Sequence, residues 1–352
     1  MKDRSDGTTT VSDFVSVVVP CRNEVSAIAQ CLDSIIANDY PKNDLEVLIV
    51  DGMSEDGTRA VVEGYLAQHP FLRLLDNPKR VTPSALNIGI RCAKGQIIVR
   101  MDAHNRYPVG YISGLVGWLQ KSGADNVGGV WITVPANDTP WARAIAAGLS
   151  HPFGVGNAHY RIGASAPRWV DTVPFGCYRR GVFDRIGLFD ETLFRNQDDE
   201  LNLRLIRHGG RILLVPEIFS YYTARDTLRK VWRMYYQYGY FKPWVVKKVG
   251  RVMTVRQMIP ALFVLGLLGS AVLALWGIWA PCYLLVATYL TADAIASAST
   301  LPRQGIRTGL ALGVVFPVLH IGYGIGFLKG LVDLLVNGRT RTGNRVDLPL
   351  SR

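Results

Sequence analysis

The chain has 352 residues, 49% of them hydrophobic, and sets 39 Lys and Arg against 28 Asp and Glu for a net charge of +11. That length accommodates one substantial domain plus an appendage, and the apolar share is high for a wholly soluble protein, so a membrane part is expected. The positive excess gathers around Arg225 to Arg256 and Arg339 to Arg352, beside the most apolar segments and without a recognition motif, which favours lipid headgroups over nucleic acid.

In chain order, residues 1–14 are polar and expected to be mobile, with no apolar stretch able to act as a signal peptide. Val15 to Pro20 is a β-branched run ended by proline, the signature of a buried parallel strand. Ile28, Leu32, Ile35 and Ile36 then fall at helical spacing before DYPKND breaks the helix. LEVLIVDG is a second buried strand, SEDGTRAVVEGYLAQHP a second helix, and FLRLLDN a third strand. A helix around Ser84 to Cys92 and the strand QIIVRMDA complete the alternation. The pattern predicts an α/β fold, Rossmann-like, with a mostly parallel sheet flanked by helices and ligands beyond the carboxyl ends of the strands. From Val127 to Asp190 the pattern loosens, with many Gly, Pro and aromatic residues, as expected of an acceptor-side region. Cys21, Cys31, Cys92, Cys177 and Cys282 are scattered without a Cys-x-x-Cys pair, so a reduced, cytosolic catalytic part is expected.

The segment 226–257 mixes Arg and Lys with Trp and Tyr, the composition of amphipathic helices lying in a membrane interface; a solvated basic helix packed on the domain is the alternative. Met258 to Ala280, Cys282 to Leu301 and Thr308 to Leu328 each offer roughly the 20 apolar residues that cross a bilayer. Asp293 weakens the second, unless it faces the protein interior, lies near a headgroup or marks a re-entrant segment. The expected division is a catalytic domain over 15–225, interfacial helices over 226–257, about three transmembrane helices over 258–336 and a basic tail over 337–352.

Four polar clusters carry candidate chemistry. PCRNE, with Pro20, Arg22 and Glu24, and DGMSEDGT, with Asp51 and Asp56, both follow buried strands and offer carboxylates suited to ribose hydroxyls or base nitrogens. A calcium loop over Asp51 to Thr58 is disfavoured because Val62 stands where the closing Glu belongs, and a plain capped turn is the bland alternative. MDAHN sets Asp102 and His104 two residues apart at a strand end, where both can turn to one divalent ion, Mn2+ or Mg2+, that neutralises a departing diphosphate; taken alone, an ordinary polar strand end is the better reading of one Asp and one His. FRNQDDEL places Asp198, Asp199 and Glu200 at a helix start; such acids are ordinary helix electrostatics, and one of them can equally be a rigidly held general base.

In this order and spacing the motifs resemble glycosyltransferase family 2, whose members share the GT-A fold, over about Val15 to Tyr240. The resemblance implies that Pro20, Arg22, Glu24, Asp51 and Asp56 contact the nucleoside of a UDP-sugar donor. It further implies that Asn87, in NPKRVTPSALNIGI, lies beneath the diphosphate, that Asp102 and His104 take the metal and diphosphate role, and that Asp198 is the base. The chain departs from the family at Gln197, where a Glu is usual, and at Gln237 to Phe241, where processive synthases carry Gln-x-x-Arg-Trp; the loss of Arg and Trp argues against a processive synthase. HPFGVGN, DAHNRYP, FGCYRR and the apolar tail are similar to the succinoglycan-biosynthesis branch, whose members extend a sugar on undecaprenyl diphosphate.

The expected activity is therefore inverting transfer from a UDP-sugar to a polyprenyl-diphosphate-linked saccharide at the cytosolic face of the inner membrane. Asp199, Arg179, Arg180 and Lys242 are expected on the acceptor side, the cations by charge alone. Two other readings use the same residues: transfer to polyprenyl phosphate itself, and a non-catalytic donor-binding subunit of a polysaccharide synthesis complex.

Overall fold

A computed structural model describes residues 13–250 and 254–337; residues 1–12 of the expected mobile start over 1–14 and residues 338–352 of the basic tail expected over 337–352 lie outside the described residues. The first half alternates as its sequence pattern demands: β1 (Val15–Cys21), α1 (Ile28–Ile36), β2 (Leu45–Asp51), α2 (Thr58–Leu66), β3 (Leu72–Asp76), α3 (Thr82–Cys92) and β4 (Ile97–Arg100). Shorter pieces follow: β5 (Asn105–Arg106), α4 (Tyr111–Ser122), β6 (Asn126–Val134), α5 (Pro140–Gly148), α6 (Pro152–Val155), α7 (His159–Ile162), β7 (Arg168–Val170), β8 (Cys177–Arg179) and α8 (Gly181–Ile186). The catalytic part closes with α9 (Gln197–Arg207) and the long strand β9 (Ile212–Thr223).

The sheet runs β3-β2-β1-β4-β8-β6-β9-β5, with β7 beside β9. The β3-β2-β1-β4 half is parallel, with Val17 opposite Val47 and Val18 opposite Arg100. Beyond β4 the sheet becomes mixed, because β8 enters antiparallel to both β4 and β6. Side-chain alternation splits the core into two faces. Val15, Val17 and Val19 pack with Ile28 and Leu32 of α1 and Leu115 of α4, while Val18, Leu48 and Ile98 pack with Leu86 of α3 and Leu201 and Leu205 of α9.

After the sheet come α10 (Leu228–Val249), α11 (Ile259–Leu275), α12 (Ala280–Gln304) and α13 (Ile306–Asn337). Thr227 caps α10 by accepting from Lys230 N–H, and Gly250, at φ +69°, ends it. The helix does not stand apart from the protein: Tyr235, Tyr240, Phe241 and Trp244 are buried. Its main partner is α13, where Gly322, Gly326 and Gly330, four residues apart, receive Trp232, Tyr236 and Tyr240 of α10, also four apart. A Cβ at Gly326 would collide with the Tyr236 carbonyl and one at Gly330 with the Tyr240 carbonyl; from the other side, one at Gly239 would meet the Tyr323 carbonyl. Only a ridge of small residues permits this approach of two helix backbones.

α12 and α13 are long and apolar enough to cross a membrane, and α11, at 17 residues, is shorter. Leu262, Leu265, Leu268, Leu284, Leu290 and Leu310 are exposed on these helices, an apolar surface that water would not tolerate over such an extent. Asp293 faces inward, is buried and accepts a hydrogen bond from Ser297 Oγ at 3.2 Å, the arrangement in which a carboxyl can sit inside an apolar helix bundle.

Gly326→Leu should force α10 and α13 apart. The expected loss is about 1–3 kcal/mol of stability, or more if no repacking is possible, read by thermal unfolding of the full chain in detergent. An unchanged melting temperature would contradict this packing.

Candidate active site

The loops after β1 and β2 are built as one wall. Asp51 is buried at the end of β2; its carboxylate accepts from Ser54 N–H at 3.0 Å and from the Ser54 hydroxyl. Ser54 Oγ in turn accepts from Asn23 N–H at 2.8 Å, and Asn23 Oδ1 accepts from Glu55 N–H at 2.9 Å. Asp56 braces the other side, accepting from Val25 N–H at 3.2 Å and Thr58 N–H at 3.0 Å. Burial raises the Asp56 carboxyl, and the bonds from Thr58 and Val25 more than offset it, holding the carboxyl below its ordinary value. Arg22 lies across Gly52, where even a Cβ would sit 3.0 Å from its own Cβ. Pro20, Arg22, Glu24, Asp51 and Asp56 are thus together on one side of the cleft.

β4 and α9 meet over Arg100, which is 5% exposed. Its Nη2 donates to Asp102 Oδ1 at 2.9 Å and its Nη1 pairs with Asp198, so one guanidinium grips both carboxylates. The Asp102 backbone is fixed as well, its N–H donating to Tyr107 Oη at 2.6 Å. Asp198 and Asp199 occupy the first turn of α9, after Asn196 at φ +60° has turned the chain. Asp199 pairs with Lys242 of α10 and accepts from Thr172 Oγ1 at 3.4 Å. His104 Nδ1 lies 3.7 Å from Glu24 Oε1 and joins this cluster to the nucleotide-side wall.

A cavity of about 560 Å3 opens beside these groups. Arg100, Asp102, His104, Asp198 and Asp199 line one end; Phe263 of α11, Tyr289 of α12 and Leu319 and His320 of α13 line the other. At that far end Tyr289 Oη and His320 Nδ1 are 2.8 Å apart, and His320 Nε2 is 2.8 Å from the Phe153 carbonyl. Arg161, Arg195, Arg225, Lys242 and Arg256 contribute positive charge to the walls.

Three expected residues stand elsewhere. Arg179 faces Ile97, the first residue of β4, so it and Arg180 lie at the edge of the sheet opposite the site. They donate to the carbonyls of Leu119 and Ala93 instead, and counting charge along the chain could not reveal which strand end they occupy. Asn87 is 2% exposed and its amide is spent. It donates to the Phe189 carbonyl at 2.9 Å and Glu191 Oε1 at 3.0 Å and accepts from Phe189 N–H at 2.9 Å, propping a loop rather than reaching a ligand. Arg100 was not singled out from the sequence, although its spacing two residues before Asp102 on a strand put the two on one face. Arg161 lay in the stretch without periodicity and had no such signal.

No group of three or more His, Cys, Asp or Glu side chains suited to a metal occurs among the described residues. Asp102 and His104 nevertheless both face the cavity, and a carboxylate plus one further donor fits a hard divalent ion that takes its remaining ligands from substrate phosphates and water.

The mixed sheet with carboxylates gathered at the ends of its parallel strands has the GT-A architecture. Residues 16–187 match glycosyl transferase family 2, and the chain carries a glycosyltransferase domain of that family. It is 29% identical over 339 residues to the succinoglycan biosynthesis protein ExoA of Rhizobium meliloti, covering 94% of this chain and 98% of the relative. A Methanococcus voltae relative is 26% identical over 328 residues, covering 91% of this chain and 98% of its own. That relative is the dolichyl N-acetyl-alpha-D-glucosaminyl phosphate 3-beta-D-2,3-diacetamido-2,3-dideoxy-beta-D-glucuronosyltransferase. Among solved structures, the mannosyltransferase PcManGT from Pyrobaculum calidifontis, in complex with GDP-Man and Mn2+, shares the fold with a TM-score of 0.57 at 22% identity, over 94% of this chain and 89% of that one. The protein is an inverting glycosyltransferase of glycan biosynthesis, which sets aside the non-catalytic reading.

Burial raises the Asp198 carboxyl, Arg100 pulls it back, and Asp102 and Asp199 raise it again, for a net upward displacement. A carboxyl raised in the folded state stabilises the fold below its unfolded pKa, and that contribution disappears as pH rises through the folded value. At neutral pH the ionised Asp198 therefore costs stability, and Asp198→Asn leaves Arg100 balanced against Asp102 alone. The variant should melt at or above the wild-type temperature at neutral pH, with the gap closing as the pH falls through the raised folded value and the wild-type carboxyl takes up a proton. A variant that melts well below the wild type at neutral pH would show the carboxylate to be a structural ion-pair partner.

Proposed function

We propose that the protein transfers one sugar from a nucleoside diphosphate donor, a UDP-sugar, to a saccharide on polyprenyl diphosphate, with its catalytic domain on the cytosolic side of the inner membrane. The observation that carries this reading is the continuity of the cavity, whose walls pass from Asp102 and Asp198 to Phe263, Tyr289 and Leu319 on the apolar helices. An acceptor with a polar reactive end and a hydrocarbon tail matches both ends. The five free cysteines accord with a reducing compartment. The name of the Methanococcus relative, which describes transfer to a dolichyl phosphate sugar, supports a lipid-linked acceptor.

Asp198, rigid in the first turn of α9 and facing the cavity, takes the proton from the acceptor hydroxyl, and the oxygen then displaces the nucleoside diphosphate from the anomeric carbon. A single displacement inverts the configuration, so an α-linked donor gives a β-glycoside. Asp102 and His104 would hold a divalent ion, which supplies positive charge for the leaving diphosphate. The loops around Asp51 and Asp56 hold the nucleoside, and Lys242, paired to Asp199, brings a cation to the acceptor side.

The test is sugar transfer to extracted polyprenyl-diphosphate saccharide by detergent-purified protein. Asp198→Asn should lower turnover about 100- to 10,000-fold while UDP binding in the presence of Mn2+ stays unchanged. Near-normal turnover would remove Asp198 from the role of base. A product carrying a single phosphate would replace the diphosphate acceptor with polyprenyl phosphate.

A further inference from the structure

Arg161 of α7 is 6% exposed, yet among the described residues no carboxylate pairs with it. Its Nη1 is buried and has no hydrogen-bond partner. Three other cations around the cavity are paired with acids: Arg100 holds Asp102 and Asp198, Lys242 holds Asp199, and Arg256 holds Asp171 at 3.0 Å, while Arg195 donates to the Gln237 amide oxygen at 3.1 Å. Burying a guanidinium without an anion is costly, and folded proteins rarely leave such a donor unmet.

The surroundings hold the charge in place without neutralising it. The Arg161 guanidinium sits 4.6 Å from the Trp131 ring centroid, 5.4 Å from that of Tyr222 and 5.5 Å from that of Tyr160. Trp131 and Tyr222 are themselves stacked at 4.6 Å. Such an aromatic box partly stabilises a cation, and although the guanidinium also reaches the Tyr160 hydroxyl, Nη1 is left available to an oxyanion. Arg161 also lines the cavity, together with Tyr235 and Tyr238 of α10, whereas Arg22, Asp51 and Asp56 of the nucleotide-side wall do not.

We propose that Arg161 is the docking group for a phosphate oxyanion of the acceptor, the diphosphate that joins its sugar to its lipid. This rests on the lipid-linked reading of the acceptor and assigns the residue that recognises its charged joint. The nucleoside diphosphate of the donor offers the same chemistry, but its binding wall lies on the other side of His104, whose ring is 6.5 Å from Tyr222. The oxyanion completes the charge that the fold leaves unpaired, so an acceptor without phosphate should bind poorly.

The test uses the full chain in detergent, saturated with UDP and Mn2+, and titrated calorimetrically with farnesyl diphosphate and separately with inorganic pyrophosphate. The wild type should bind both, and Arg161→Met should weaken both by about 10- to 100-fold, the loss expected for a charge-assisted hydrogen bond. Arg161→Lys should retain part of the affinity. UDP affinity measured in parallel should be the same in all three proteins. Without ligand, Arg161→Met should melt no lower than the wild type, because an unpaired buried charge has been removed. Loss of UDP affinity with farnesyl diphosphate binding intact would assign the oxyanion to the donor and overturn the proposal. Unchanged binding of both probes with a lower melting temperature would make Arg161 a structural plug of the aromatic box. Arg161-dependent binding of pyrophosphate without any binding of farnesyl diphosphate would keep the oxyanion site and reject the lipid-linked acceptor.

Discussion

The close approach of α10 to α13, backbone against backbone along Gly322, Gly326 and Gly330, is the contact on which the active cavity depends. α10 follows the last strand of the catalytic sheet, and α13 belongs to the apolar bundle, so this seam fixes the two parts in one register. The packing of Leu312, Val315 and Phe316 of α13 on Ile145 and Leu149 of α5 and on Phe153 of α6 adds a second tie between them. With both in place, Tyr235, Tyr238 and Lys242 of α10 face Leu319, His320 and Tyr323 of α13 across one space, and a substrate with a polar head and an apolar tail meets a matching wall at each point.

Charge within that space is arranged unevenly. Around Arg100 there are two carboxylates for one guanidinium, a surplus of negative charge suited to a divalent ion and to a base. At Arg161 there is a guanidinium with no ion-paired acid among the described residues and an unpartnered Nη1, a positive charge suited to phosphate. Arg100 is tied to Asp102 and Asp198 and Arg161 to the rings of Trp131 and Tyr222, so the two can be altered by separate substitutions. Both guanidinium groups are buried, where a low dielectric strengthens their interactions.

How much of this the sequence discloses follows from where the forces lie. β1 to β4 and their helices are legible because β-branched runs and helical spacing are local signals, and the strand-end clusters PCRNE, DGMSEDGT and DAH stand out against them. The mixed half is not, because β8 is three residues long and is held only by β4 and β6, partners distant in sequence. For the same reason Arg179 was expected at the cleft and lies at the far edge: its place depends on the direction of a strand that no local pattern reveals. Asn87 shows the opposite limit, since its position under the loop at Phe189 was near the site but its amide had already been committed to the fold. Gly322, Gly326 and Gly330 of α13 stand four residues apart, a spacing that points to a helix seam, but the partner helix cannot be read from it.

The most direct test of the account is nucleoside diphosphate release by the purified protein in liposomes, across a panel of sugar nucleotides, with and without a polyprenyl-diphosphate saccharide in the bilayer. A cavity shared by catalytic domain and apolar helices predicts that release from one donor rises sharply only when the lipid-linked saccharide is present. Equally fast transfer to a water-soluble saccharide, with no response to the lipid, would contradict it.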